Sequence, residues 1–208
     1  MEDIICRDRA SEIIRRLENL KNEYADNNTV RENGTILLAP GTIPRSRHML
    51  FVGLEEELIN DYLVAEYKLP FPEAYKELLR SFNGANLFTV KINNKKIKRS
   101  FAYNLFTIYG LPRSDPFSRP EYMEKPYDLR VEDLARHKKL PKAWLKCGSY
   151  CKDCNIHVIT DIFIDTDSGR VFSCNKNECD ILGSWESLDD CLCSIFDSFA
   201  DSRDEYDM

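Results

Sequence analysis

At Asn83-Gly84 the spacing of apolar side chains changes period, and this switch constrains the fold more than any other feature of the chain. Before it, apolar residues recur at the three- and four-residue intervals of buried helix faces. Ile13, Leu17, Leu20 and Tyr24, with Ile14 widening the stripe, predict a helix over Arg9 to Asn27. Leu54, Leu58, Ile59, Tyr62, Leu63 and Tyr67 predict a second helix after Gly53. Proline is tolerated at a helix's first position, so a third is expected from Pro72, with Tyr75, Leu78, Leu79 and Phe82 as its buried stripe and Gly84 in the left-handed position past its end. Between the first two, Gly34 to Arg47 reads as extended or looped.

After the switch the chain turns β-branched and aromatic. Asn86 to Ile92 and Phe101 to Tyr109 read as strands, with Asn93-Asn94 in their connection. A polar, proline-punctuated loop runs from Arg113 to Asp128, then a short helix from Val131 to His137 and a strand from Ala143 to Cys147. The strongest β signal is Ile156 to Ile164, with Ile156, Val158, Ile162 and Ile164 on one face, followed by Arg170 to Cys174. Asp165 to Gly169 joins them as a turn with Gly169 at positive φ. A closing helix is expected from Leu188 to Ala200, with Ser187 as its N-cap and Asp189 and Asp190 in its first turn. Helices, then strands, then a helix make an α+β fold, an antiparallel sheet packed against N-terminal helices and a C-terminal helix. The expected organisation is a single domain over 1–208: an N-terminal helix and extended lead-in (1–47), a core (48–200) and an acidic tail (201–208).

Hydrophobic residues make up 43% and aromatics 11% of the chain, enough for a sizeable core. The net charge of −6 argues against a nucleic-acid partner, which requires clustered Lys and Arg. The basic stretch from Lys91 to Arg99 reads instead as a solvated hairpin. No glycine-rich phosphate loop is present. The first residues lack the apolar run of a secretion signal, and no uninterrupted apolar run reaches membrane-spanning length. A cytoplasmic protein with no membrane partner is therefore expected, its eight cysteines kept reduced.

Four stretches resemble the SUKH superfamily, the Smi/Knr cell-wall-assembly regulator family. They are Leu69-Pro70 through Tyr75, Leu78 and Leu79 to Asn83-Gly84; Asn86-Leu87-Phe88; Ile108-Tyr109-Gly110; and Ile162 to Val171 followed by Trp185 to Phe196. Two features depart from the family pattern: Ala85 stands where a second glycine is usual, and the cysteine cluster is not a family feature. The resemblance implies an α+β fold and, in bacteria, an immunity protein that binds and neutralises a polymorphic toxin, often a nuclease or deaminase. Fungal relatives act as signalling scaffolds. Neither role needs catalytic residues, and none is carried over.

Candidate sites are weighed against plainer readings. Cys147, Cys151, Cys154, Cys174 and Cys179 are either buried or loop thiols, or the ligands of a structural zinc gathered at the open end of the hairpin. Asp161, Asp165 and Asp167 suggest a metal-dependent nuclease only faintly, and the last two are better explained as turn residues. His48, His137 and His157 form no recognisable catalytic constellation. The acidic C-terminal section is either a solvated helix face or a surface complementary to a basic toxin. On the second reading its contacts are Asp189, Asp190 and Asp197, with Phe117 and Tyr122 of the long loop as aromatic anchors.

Overall fold

The computed structural model describes residues 11–41, 46–62, 71–94, 99–111, 144–151, 158–175 and 180–201. Among them run nine strands: β1 (Asn28–Val30), β2 (Ile36–Pro40), β3 (Ser46–Val52), β4 (Phe82–Asn94), β5 (Arg99–Ile108), β6 (Trp144–Tyr150), β7 (Thr160–Asp165), β8 (Val171–Asn175) and β9 (Ile181–Trp185). They form one sheet in chain order, and every pairing is antiparallel. The described helices are α1 (Glu12–Glu23), α2 (Glu56–Tyr62), α3 (Glu73–Ser81) and α4 (Leu188–Ala200). The fold is α+β, with the sheet packed against N-terminal helices and a C-terminal helix.

The main core lies between sheet and helices. Ile13, Leu17 and Leu20 of α1, Tyr75, Leu78 and Leu79 of α3, and Leu192, Ile195, Phe196 and Phe199 of α4 close over Leu50, Leu87, Phe106, Ile162 and Ile164. Phe88, Phe106 and Phe199 form a chain of stacked rings through it. The expected apolar stripes of α1, α3 and α4 are thus the buried ones. Two smaller apolar clusters lie outside this core: Leu37, Met49 and Phe51, and Trp144, Phe163 and Cys174 with Phe172 against them.

Several expectations are corrected. α3 ends at Ser81, and Phe82 and Gly84 already belong to β4. Gly84 does have φ +88, but close approach of the neighbouring strand is the further reason for glycine there, since a Cβ would lie 2.7 Å from the Ile108 carbonyl oxygen. Asn93 and Asn94 pair with Ser100 and Arg99, so both belong to β4 rather than to the connection between the strands, and residues 95–98 of the basic stretch lie outside the described residues. Val158 is exposed and precedes β7, so it does not share the buried face of Ile162 and Ile164. The Arg113 to Asp128 loop and the helix expected at Val131 to His137 lie outside the described residues.

β3 and β9 are strands that the period-two pattern did not announce. In β3 the consecutive Met49, Leu50 and Phe51 are all buried, because Leu50 joins the main core while Met49 and Phe51 join Leu37 in a second cluster. A strand covered on both faces shows no alternation. β9 holds only five residues and carries a central glycine.

Candidate functional site

A row of side chains crosses the sheet through paired positions. It runs Leu37, Met49, Asn86, Thr107, Ser149, Asp161, Cys174, each opposite the next on the adjacent strand. Its ends are apolar and its middle is polar. Asn86, Thr107 and Asp161 are buried and Ser149 is half-buried. On β6, the strand that also carries Ser149, Lys146 is buried too, and its Nζ lies 3.0 Å from Asp161 Oδ2. The same ammonium sits over the Tyr109 ring, 5.3 Å from its centroid. The Tyr109 hydroxyl donates to Ser149 Oγ at 3.3 Å. Burial pushes the Tyr109 phenol up, against the opposing pull of Lys146, so it remains a donor. Beside this group lies a hollow of about 220 Å³ lined by Ala102, Tyr103, Asn104, Thr107, Tyr109, Ser149 and Ile159.

The carboxylates considered for metal chemistry separate. Asp161 belongs to the Lys146 pair. Asp165 accepts from the Asp167 N–H at 3.0 Å and the Ser168 hydroxyl at 2.8 Å, and Gly169 has φ +74, which is the turn chemistry expected.

The acidic candidates divide between structural work and open surface. Asp189 reaches across to the start of α1, accepting from the Ser11 hydroxyl (2.6 Å), the Glu12 N–H (2.9 Å) and the Ile13 N–H (3.4 Å). It satisfies α1's first donors, which Ser11's own side chain does not. Asp190 completes the N-cap of α4: its N–H donates to Ser187 Oγ and its carboxylate accepts from the Ser187 hydroxyl. Asp197 is ion-paired with Arg16 of α1. Asp189 and Asp197 together therefore clamp α1 to α4. Asp189→Ala should cost about 1–2 kcal/mol, with faster hydrogen exchange confined to the first turn of α1 as the check. Phe117 and Tyr122 lie outside the described residues.

Cys147, Cys151 and Cys174 are buried, whereas Cys154 and Cys179 lie outside the described residues. Cys147 joins the helix-side core and donates to the Ile162 carbonyl at 3.6 Å, while Cys174 packs in the separate cluster with Trp144 and Phe163. Among the described residues no group of three or more His, Cys, Asp or Glu is arranged to hold a metal ion. The zinc expectation therefore turns on Cys154 and Cys179.

Burial pushes the Cys147 thiol up from 9.0 to about 12 and Cys193 to about 11, and raises Cys191 as well. Native protein at about pH 8 should leave these three unmodified by iodoacetamide and expose them only on unfolding, as peptide mapping would show. Their folded values lie above the unfolded one. Their contribution to stability is thus complete below about pH 9 and is lost as pH climbs toward about 12, so urea midpoints should fall across that window.

His48, buried in β3, was not assigned a role from sequence. Phe88 has φ +53 and drops out of the β4–β5 register, and its freed N–H donates to His48 Nδ1 at 3.2 Å. The imidazole thus serves a kink in the sheet.

Two of the four stretches that carried the family resemblance, Leu69 to Gly84 and Ile108 to Gly110, meet in one joint. Asn83 Nδ2 donates to the Leu111 carbonyl (2.8 Å) and its Oδ1 accepts from the Leu111 N–H (2.7 Å). The Tyr75 hydroxyl donates to the Tyr109 carbonyl at 2.8 Å. Gly110 lies so close that a Cβ there would stand 2.1 Å from the Asn83 carbonyl oxygen. The end of α3, the Asn-Gly step and the Tyr-Gly strand end are therefore one interlocked unit. The SMI1 / KNR4 family (SUKH-1) model matches residues 54–194, more than half of the chain and including the whole of this joint. The chain belongs to the SUKH-1 family. No curated protein matches it in sequence. The SUKH-1 region begins at Leu54, so α1, β1, β2 and β3 precede it. Among the described residues no helix is long and apolar enough to cross a membrane.

Proposed function

We propose that this SUKH-1 chain is a bacterial immunity protein that binds and neutralises a cognate polymorphic toxin in the cytoplasm, and that it does so without catalysis. The family supports a toxin-immunity or Smi1/Knr4-like role in general. The observation that carries the finer reading is electrostatic. From Asp180 to Asp201 the chain holds six acidic residues and no Lys or Arg. With Asp189 and Asp197 engaged on α1, the exposed ones are Asp180 and Glu186, which flank β9, Asp190 in α4 and Asp201 just past it. An enzyme that acts on nucleic acid must be basic around its substrate, so an acidic inhibitor steers to it and competes for the same face. The reading is also consistent with the described nucleophile candidates: Cys147, Cys191 and Cys193 stay protonated at neutral pH.

The test is co-expression with the C-terminal domain encoded by the neighbouring gene. The domain alone should arrest growth, and this chain should restore it by forming a stable complex. Failure of soluble chain to restore growth would overturn the reading.

A second reading, a ligand-sensing scaffold, is favoured by the Tyr- and hydroxyl-lined hollow beside Tyr109. A scaffold would act without any toxic neighbour, and widening the hollow by Tyr103→Ala would change its output. The same substitution would leave toxin neutralisation intact on the first reading.

A further inference from the structure

The sheet ends at β9, and no described strand pairs with its outer edge. A bare sheet edge offers a row of backbone donors and acceptors to an incoming strand, and proteins usually blunt such edges. Here the edge carries two of the exposed large apolar side chains, Ile181 and Leu182, each 58% exposed. Ile181 pairs with Cys174 and Ser184 with Phe172, while Leu182 falls at a register shift of the ladder. Phe172 stacks on Trp144 at 4.4 Å and 10°, so an aromatic cluster continues inward from the edge on that side. Acidic residues bracket the strand: Asp180 before it and Glu186 after it, both exposed. Glu186 meets Arg170 at 3.0 Å, but both side chains are exposed and the pair is readily exchanged.

A second copy of the chain is disfavoured as the occupant by register. Antiparallel pairing of β9 with itself over its whole length centres on Gly183 and sets Asp180 opposite Glu186 of the second copy at both ends. Like charges directly opposite each other destabilise a strand pair, and each copy already carries a net charge of −6. The same geometry suits a strand with basic residues six positions apart, facing Asp180 and Glu186.

We propose that β9 is a docking edge that takes an extended segment of a basic partner protein by strand addition, with Asp180 and Glu186 reading positive charges at its two ends and Ile181 anchoring its apolar side. This deepens the immunity reading and rests on it for the identity of the partner as a toxin, though the edge is tested without one. Strand addition draws affinity from main-chain hydrogen bonds and specificity from alternate side chains.

The probe is a fluorescent peptide, Lys-Thr-Val-Thr-Val-Thr-Lys, with its Glu-ended counterpart as control. The Lys-ended peptide should raise anisotropy at low salt, weaken several-fold at high salt and protect β9 amides from hydrogen exchange. The Glu-ended peptide should not bind. Asp180→Lys with Glu186→Lys, both at exposed positions, should invert this preference, and Leu182→Pro should remove binding of either peptide with the fold retained by circular dichroism. Equal binding of both peptides, protection elsewhere than β9, no binding, or an unchanged preference in the double variant would overturn the proposal. So would a dimer in solution that Leu182→Pro dissociates, which would give the edge to a second copy. If these variants still restore growth against the toxin, the edge is not the toxin's surface and the immunity reading survives. If the unaltered chain fails to restore growth, that reading falls while the peptide result stands.

Discussion

Replacing Asp161 by alanine is expected to destabilise the protein by about 3–5 kcal/mol, measured as a fall in the urea midpoint. The magnitude follows from where the pair sits. The Lys146 and Asp161 side chains are 3% and 1% exposed, so removing the carboxylate leaves an ammonium in a nearly dry site. Tyr109 is a neutral neighbour of that ammonium, a weaker substitute for a carboxylate. The effect should be non-additive. A double replacement, Lys146→Met with Asp161→Leu, removes both charges together and should recover most of the loss, because replacing a buried ion pair by apolar residues of similar volume is often neutral. A cost below about 1 kcal/mol for Asp161→Ala would mean that the pair behaves as a surface bridge and that the polar centre of the sheet is wet.

The second large effect is expected at the joint between α3 and the end of β5. Asn83→Ala strips both polar partners from the buried Leu111 backbone and should cost about 2–5 kcal/mol, since each stranded group carries a desolvation penalty of about 1–3 kcal/mol. Gly110→Ala should cost at least about 3 kcal/mol, because its Cβ would meet the Asn83 backbone rather than a side chain that could swing away. Chemical denaturation of both variants checks this. Ala85, which stands where the family usually has a second glycine, is buried without such a clash, and its methyl lies in the main core opposite Ile108. The departure in sequence is therefore accommodated by packing.

These two sites show what the sequence conveyed and what it withheld. The helices were legible because their apolar stripes face a single core: Ile13, Leu17 and Leu20, then Tyr75, Leu78 and Leu79, then Leu192, Ile195, Phe196 and Phe199. The hairpin from β7 to β8 was legible because its turn chemistry is local, held by Asp165 and Gly169. β3 was hidden by burial on both faces, and the start of β4 by an Asn-Gly step that imitates a helix end while serving contacts 28 residues away. The Lys146–Asp161 pair left little trace in the sequence, because Lys146 lies opposite Phe163 and Asp161 opposite Ser149, so the two meet only diagonally across a register shift between β6 and β7. The acidity of the C-terminal section was plain in the sequence. Which carboxylates are occupied was not, because Asp189 and Asp197 find their partners some 180 residues earlier in the chain. Partner-facing charge and fold-holding charge look alike until the contacts are seen.

Titration calorimetry of the purified chain against the toxic domain of its neighbouring gene, at low and high salt, measures the proposed binding of a basic toxin itself. A one-to-one complex is expected, with an affinity that falls steeply as salt rises, as steering by exposed carboxylates requires. Two folded proteins that give no heat of binding at either salt concentration would contradict it.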